Sequence, residues 1–159
     1  MNLDLPKKYN DLYNLLNNIH LFKNILIVNS EKTGLFLDNM CKDKNPIRIK
    51  YNSNMFDNFI TEINNINKKY DLILVDPYHE YKHSIDTFNL LKPLLDNNGI
   101  LICHDCYPKK FDFTSPKYKI GPWCGVTYAA FIEIAYNNPD FYYAVINNDY
   151  GLEIGRAHV

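Results

Sequence analysis

The chain lacks most of the features that would place it at a glance. No apolar run approaches the ~20 residues that a membrane span needs. The amino-terminal stretch Met1-Asn-Leu-Asp-Leu-Pro-Lys-Lys8 lacks the apolar core of a secretory signal. No charge of one sign dominates: 17 Lys and Arg stand against 18 Asp and Glu, a formal net charge of -1. That balance gives no sign of a nucleic-acid or membrane-surface partner. Cysteine is sparse, and its four scattered residues read as reduced thiols of a cytoplasmic protein. No internal repeat or linker breaks the 159 residues, so a single domain over 1–152 is expected. A glycine-rich phosphate loop is also missing. Where G-x-G-x-x-G would follow the first strand, the chain has Asn29-Ser30-Glu-Lys-Thr-Gly34, and the second strand ends Lys50-Tyr-Asn-Ser with no acid for a ribose. From the residues alone, a dinucleotide or adenosyl cofactor is not indicated.

What is present is enough to predict a fold. A 47% hydrophobic content supports a real core, and 14% aromatics argue against disorder. Asparagine pairs such as Asn17-Asn18 and Asn97-Asn98 read as the codon bias of an AT-rich genome. Helices are predicted over 11–22, 35–41, 56–66, 84–95 and 126–136 from apolar residues recurring near the helical period. Ser84 is the expected N-cap of the fourth, Asp96-Asn-Asn-Gly99 its stop, and Pro93 shortens its last turn. Strands are predicted over 24–28, 46–51, 71–75, 99–103 and 141–146, with another starting at Leu152. The runs at 71–75 and 99–103 do not alternate, as befits strands buried on both faces. The alternation means an α/β fold: a doubly wound, mostly parallel, Rossmann-like sheet with helices on both faces. It closes with an antiparallel hairpin and is trimmed by one strand at an edge.

Both buried runs end in acid and imidazole: Asp76-Pro-Tyr-His79 after one, His104-Asp105 after the other. Ligands of open α/β sheets bind at the carboxyl ends of strands, so these four residues are candidates for one crevice. A carboxylate there can hold a metal, orient a hydroxyl or act as a base, and His79 and His104 are the candidate proton carriers. Singly, each acid reads better as a cap or turn residue, and a packing role is the lesser reading of His104. Paired on two strands, they point to a site.

Other motifs have plainer readings. His79-Glu80-Tyr-Lys-His83 spells the H-E-x-x-H of zinc hydrolases, but it sits at a strand exit beside Lys82 and lacks a third ligand at a diagnostic spacing. Cys103, Cys106 and Cys124 could in principle hold zinc, yet core packing suits them better. The segment 107–124 is long for a compact domain and mixes Lys109, Lys110, Lys117 and Lys119 with Phe111, Phe113, Tyr118 and Trp123. It reads as a lid over a small anionic or sugar substrate or as a solvated loop.

Taken together, Tyr70-Asp-Leu-Ile-Leu-Val-Asp76-Pro-Tyr-His79-Glu-Tyr81, Asp86, and Gly99-Ile-Leu-Ile-Cys-His104-Asp105-Cys-Tyr-Pro108 resemble a group of small class I S-adenosylmethionine-dependent methyltransferases. Trp123-Cys-Gly125-Val, Pro139-Asp140 and Asp149-Tyr-Gly-Leu152 extend the resemblance, which runs from about Phe56 to Leu152. It implies O-methylation of a small molecule or sugar, assisted by Mg²⁺ or another divalent cation. Asp76 and Asp105 would be the metal or hydroxyl ligands, and His79, His104 and Asp105 the catalytic set. Asn29, Ser30, Gly34 and Asp76 would take the cofactor. Pro77 replaces the group's usual glycine, Val126 replaces its usual acid, and the amino-terminal half matches poorly. Two alternatives therefore stand beside the enzyme: a degenerate, non-catalytic relative that binds a glycan or a protein, and the zinc hydrolase.

The tail Glu153-Ile-Gly-Arg-Ala-His-Val159 reads like a translated short-read sequencing adapter, so residues 153–159 are expected to be non-native. An independent genomic read should continue differently after Leu152; the same codons in a complete genome would overturn this.

Overall fold

The computed structural model describes residues 22–29, 45–51, 56–76, 78–147 and 151–157. The helices expected over 11–22 and 35–41 fall outside them, apart from Phe22, as do Ser30 and Gly34. Strands β1 (Ile25–Asn29), β2 (Ile47–Lys50), β3 (Tyr70–Val75), β4 (Leu95–Cys103), β5 (Phe141–Ile146) and β6 (Leu152–Ala157) form one sheet in the order β2-β1-β3-β4-β6-β5. The first four pair in parallel, and β6 runs antiparallel between β4 and β5. Helix α1 (Phe56–Asn64) joins β2 to β3, α2 (Tyr81–Leu91) joins β3 to β4, and α3 (Thr127–Asn137) precedes β5. Among the described residues β2 is the outermost strand on its side of the sheet. The segment read as a non-native tail supplies most of β6.

The core follows from strand alternation. Leu26, Val28, Ile49, Ile73, Val75 and Leu101 face α1–α3 and cluster with Phe59, Ile63, Phe88, Leu91, Phe131 and Ile134. The alternate residues Ile25, Ile27, Leu72, Leu74 and Ile102 are at most 2% exposed. The central strands are thus buried on both faces, the reason their sequences run apolar without a break.

Two local expectations need correction. Ser84 does not cap α2. The chain is extended at Glu80 (φ -96°, ψ 146°) and turns helical at Tyr81, so Ser84 lies inside the helix with its hydroxyl donating to Glu80 O at 2.9 Å. Nor does Asp96-Asn-Asn-Gly99 stop a helix. Helix α2 ends at Leu91, Pro93 sits in a 3-10 turn over Lys92–Leu94, and β4 begins at Leu95. Tyr70 pairs with Leu95 and Leu72 with Ile100, so the turn-forming residues are a bulge within β4.

Gly99 sits where that bulge crosses β3. A Cβ there would lie 2.8 Å from the Leu95 side chain and 2.9 Å from Tyr70 O. Gly99→Ala should therefore lower stability by about 1–3 kcal/mol, the usual cost of overpacking. Chemical denaturation checks this, and an unchanged midpoint would refute it.

Candidate functional site

The first, second and third strands in the sheet order, β2, β1 and β3, set up the crevice. The chain goes from β1 outward to β2, then crosses back to β3 on the other side of β1, so the winding direction reverses between β1 and β3. Ligand crevices of open sheets open at such a reversal. Asn29 ends β1 at this edge. Asp76 follows β3 and stays tied to β1, its N–H donating to Val28 O at 2.9 Å. His104 follows β4 and donates its N–H to Val75 O at 3.0 Å. Asp105 then turns with φ +61°, a left-handed conformation that Asp adopts more readily than most residues.

These strand exits bring Asp76, His79, His104 and Asp105 together. His79 Nε2 lies 2.9 Å from Asp105 Oδ2 and 3.2 Å from Asp76 Oδ1. His104 Nδ1 lies 3.2 Å from the same Asp105 oxygen and 3.7 Å from Asp76 Oδ1. Asp105 is 5% exposed. On the far side of the His79 ring, Nδ1–H donates to Trp123 O at 2.8 Å. With Nδ1 a donor and Nε2 against two carboxylates, the ring is an imidazolium.

The electrostatics agree with this geometry. Burial works against charge on His79, but Asp105 and then Asp76 outweigh it and raise its pKa from 6.5 to about 10. Burial likewise opposes charge on Asp76 and Asp105, yet the imidazoles of His104 and His79 beside them hold both carboxyls below the ordinary 3.8. Two buried carboxylates therefore stay ionised at this point of the crevice. One ligand atom each from Asp76, His79 and Asp105 all lie within 4.8 Å of one another. This is the metal-type grouping among the described residues, and the buried thiols Cys103, Cys106 and Cys124 are not in it.

The H-E-x-x-H reading does not survive this geometry. His79 precedes α2 instead of lying on it, so the i, i+4 facing of a helical zinc pair does not apply. His83 turns to Glu80 Oε2 at 3.2 Å and to the ring edges of Phe56 and Tyr78. The two imidazoles serve different neighbourhoods.

Asn29 is 2% exposed, and its Oδ1 accepts from Arg48 on β2 at 2.8 Å. Sequence reasoning overlooked Arg48. It also overlooked the grip of the segment before α3 on His79. Val126 N–H donates to His79 O at 2.9 Å. Gly125, at φ +57°, passes so close that a Cβ would lie 1.9 Å from that oxygen. Trp123 and Gly125 stood out in the sequence as a motif, but nothing there tied them to His79.

The pH dependence of stability follows from these shifts. The raised pKa of His79 gives stability that is complete below pH 6.5 and is lost as pH rises through about 10. The lowered carboxyl pKa values give stability that is present above the ordinary 3.8 and is lost as pH falls below it. Melting temperature should decline between pH 7 and 10 in wild type, by about 2–4 °C for each kcal/mol lost, and this decline should be absent in His79→Gln. Equal declines in both proteins would refute the assignment.

The sequence of residues 12–106 matches the methyltransferase domain family. No curated protein matches significantly. Solved structures share the fold. A Staphylococcus aureus protein, provisionally assigned as a caffeoyl-CoA O-methyltransferase, aligns with a TM-score of 0.67 at 17% identity, covering 98% of this chain and 85% of its own. An O-methyltransferase from Bacillus cereus, solved with S-adenosylhomocysteine, aligns at 0.59 and 14% identity, covering 99% and 84%. One from Streptomyces achromogenes, involved in tomaymycin synthesis and solved with S-adenosylmethionine, aligns at 0.62 and 11% identity, covering 99% and 82%. With more than half of its residues matched, and with the crevice and strand order described above, this chain belongs to the methyltransferase domain family.

Proposed function

We propose that the chain is an S-adenosylmethionine-dependent O-methyltransferase that acts on a hydroxyl of a small molecule with the help of a divalent cation. The observation that carries this is the cluster of Asp76, His79 and Asp105 at the β1/β3 crevice of a methyltransferase-family domain. Two of its fold neighbours were solved with S-adenosylmethionine or S-adenosylhomocysteine. The acceptor class we favour is a sugar, on the sequence resemblance. The reaction belongs in the cytoplasm, where the buried free thiols stay reduced. Among the described residues no helix is long and apolar enough to cross a membrane.

The residues divide the work by their chemistry. Asp76, Asp105 and His79 Nε2 would hold the cation, the two carboxylates suiting Mg²⁺ or Mn²⁺ and the imidazole favouring a transition metal. Trp123 O keeps Nδ1 of His79 protonated, so that loss of the Nε2 proton leaves a lone pair facing the carboxylates. When bound, S-adenosylmethionine would supply an electrophilic methyl group and the cation would acidify the acceptor hydroxyl. His104 acts as the general base. Its imidazole, with Nδ1 3.2 Å from Asp105 Oδ2, takes the hydroxyl proton. Asn29, at the end of β1, would lie on the cofactor side of the crevice, and on the sequence resemblance Ser30 and Gly34 would bind the cofactor with it.

Calorimetric titration of S-adenosylhomocysteine with and without Mg²⁺ tests this reading. Wild type should bind saturably in the micromolar range. Asp76→Ala, once shown to be folded by circular dichroism, should lose the response to Mg²⁺. No heat under any condition from folded wild type would leave only the non-catalytic relative.

A further inference from the structure

The side-chain torsion of histidine that turns its ring is broad and roughly two-fold, so a histidine does not orient its own nitrogens. Outside partners must do so, and for His79 they come from one short segment. Trp123 O accepts Nδ1–H at 2.8 Å, and the indole lies against the imidazole with centroids 4.9 Å apart at 39°. The indole is pinned in turn. Its Nε1–H donates to Ser115 O at 2.7 Å. Tyr78 and Tyr118 meet it edge-on at 5.3 and 5.2 Å. Phe113 O accepts the N–H groups of Cys124 and Gly125 at 2.9 and 3.0 Å, which fixes the main chain beside the Trp123 carbonyl.

We propose that Trp123 is the positioning residue of this site: its carbonyl sets which His79 nitrogen faces the carboxylates, and its indole sets the plane of the ring. The segment 107–123 then has a structural role in the site as well as a place near it. Movement of this segment moves the Trp123 carbonyl, and the imidazole follows. The proposal concerns the ring in the protein without ligands. Only its effect on cation affinity rests on the functional reading above.

The test is ¹H–¹⁵N NMR of the imidazole groups in the whole chain without added metal, with His79→Gln for assignment, followed by Mn²⁺ titration. Wild type should show a downfield, slowly exchanging His79 Nδ1–H. Trp123→Ala keeps the carbonyl but removes the indole that sets the ring plane, so it should broaden that signal, speed its exchange and weaken Mn²⁺ binding about 10–100-fold, the usual effect of disturbing the support behind a metal ligand. Trp123→Phe, which keeps a ring against His79, should recover most of both. A folded Trp123→Ala with unchanged signal and Mn²⁺ affinity would overturn the proposal. If Trp123→Ala does not fold, Tyr118→Ala takes its place. Tyr118 is 62% exposed and braces the indole edge. Its removal should broaden the Nδ1–H signal, and an unchanged signal would overturn the proposal equally. If wild type binds no Mn²⁺, the cation reading fails, and the Nδ1–H signal alone decides on Trp123.

Discussion

The His79 imidazolium between Asp76 and Asp105 is the interaction on which the rest of the site depends. Two carboxylates brought together in a nearly dry crevice would each lift the pKa of the other. The ring meets both through one nitrogen, at 2.9 and 3.2 Å, so both acids stay ionised despite burial. This also accounts for the unusual backbone of Asp105. The left-handed turn after His104 directs its carboxylate back to His79 and His104. The proton on Nε2 offsets the charge that this pair of carboxylates brings to the crevice.

The second constraint is how that imidazole is held. It belongs neither to β3 nor to α2 but to the short connection between them. Connections of this kind are flexible unless other parts of the chain restrain them. Here the restraint comes from the segment leading into α3, through Trp123 O, Val126 N and the close approach of Gly125. That the chain has glycine at 125 follows from two requirements at once: a positive φ, and no room for a Cβ over His79 O. On the other side of the crevice, the pairing of Arg48 with the buried Asn29 gives the β1 end a polar, structured edge without the usual acid.

Much of this was legible in the sequence. The unbroken apolar runs of β3 and β4, their shared ending in acid and imidazole, and the helix between them identify two adjacent parallel strands and a crevice at their ends. The elements were legible because burial on both faces writes directly into composition. The start of α2 and the residues Asp96–Gly99 were misread, because Ser84 and an Asn-Asn-Gly run have turn chemistry wherever they occur. Only strand pairing reveals that the second is a bulge. The H-E-x-x-H match failed for the same reason: spacing implies a shared helical face only if a helix is there.

By itself, the sequence determined the fold class, the order of strands and helices, and which four side chains end up at the carboxyl edge of the sheet. These depend on periodicity and on the strand exits, which are local properties. Tertiary structure alone decided that one nitrogen of His79 meets both acids, that Trp123 lends its carbonyl from 44 residues away, and that Arg48 holds Asn29. Those contacts depend on where a loop and a neighbouring strand come to rest. A hydrogen bond to a main-chain carbonyl leaves no mark on residue identity, because every residue carries that carbonyl.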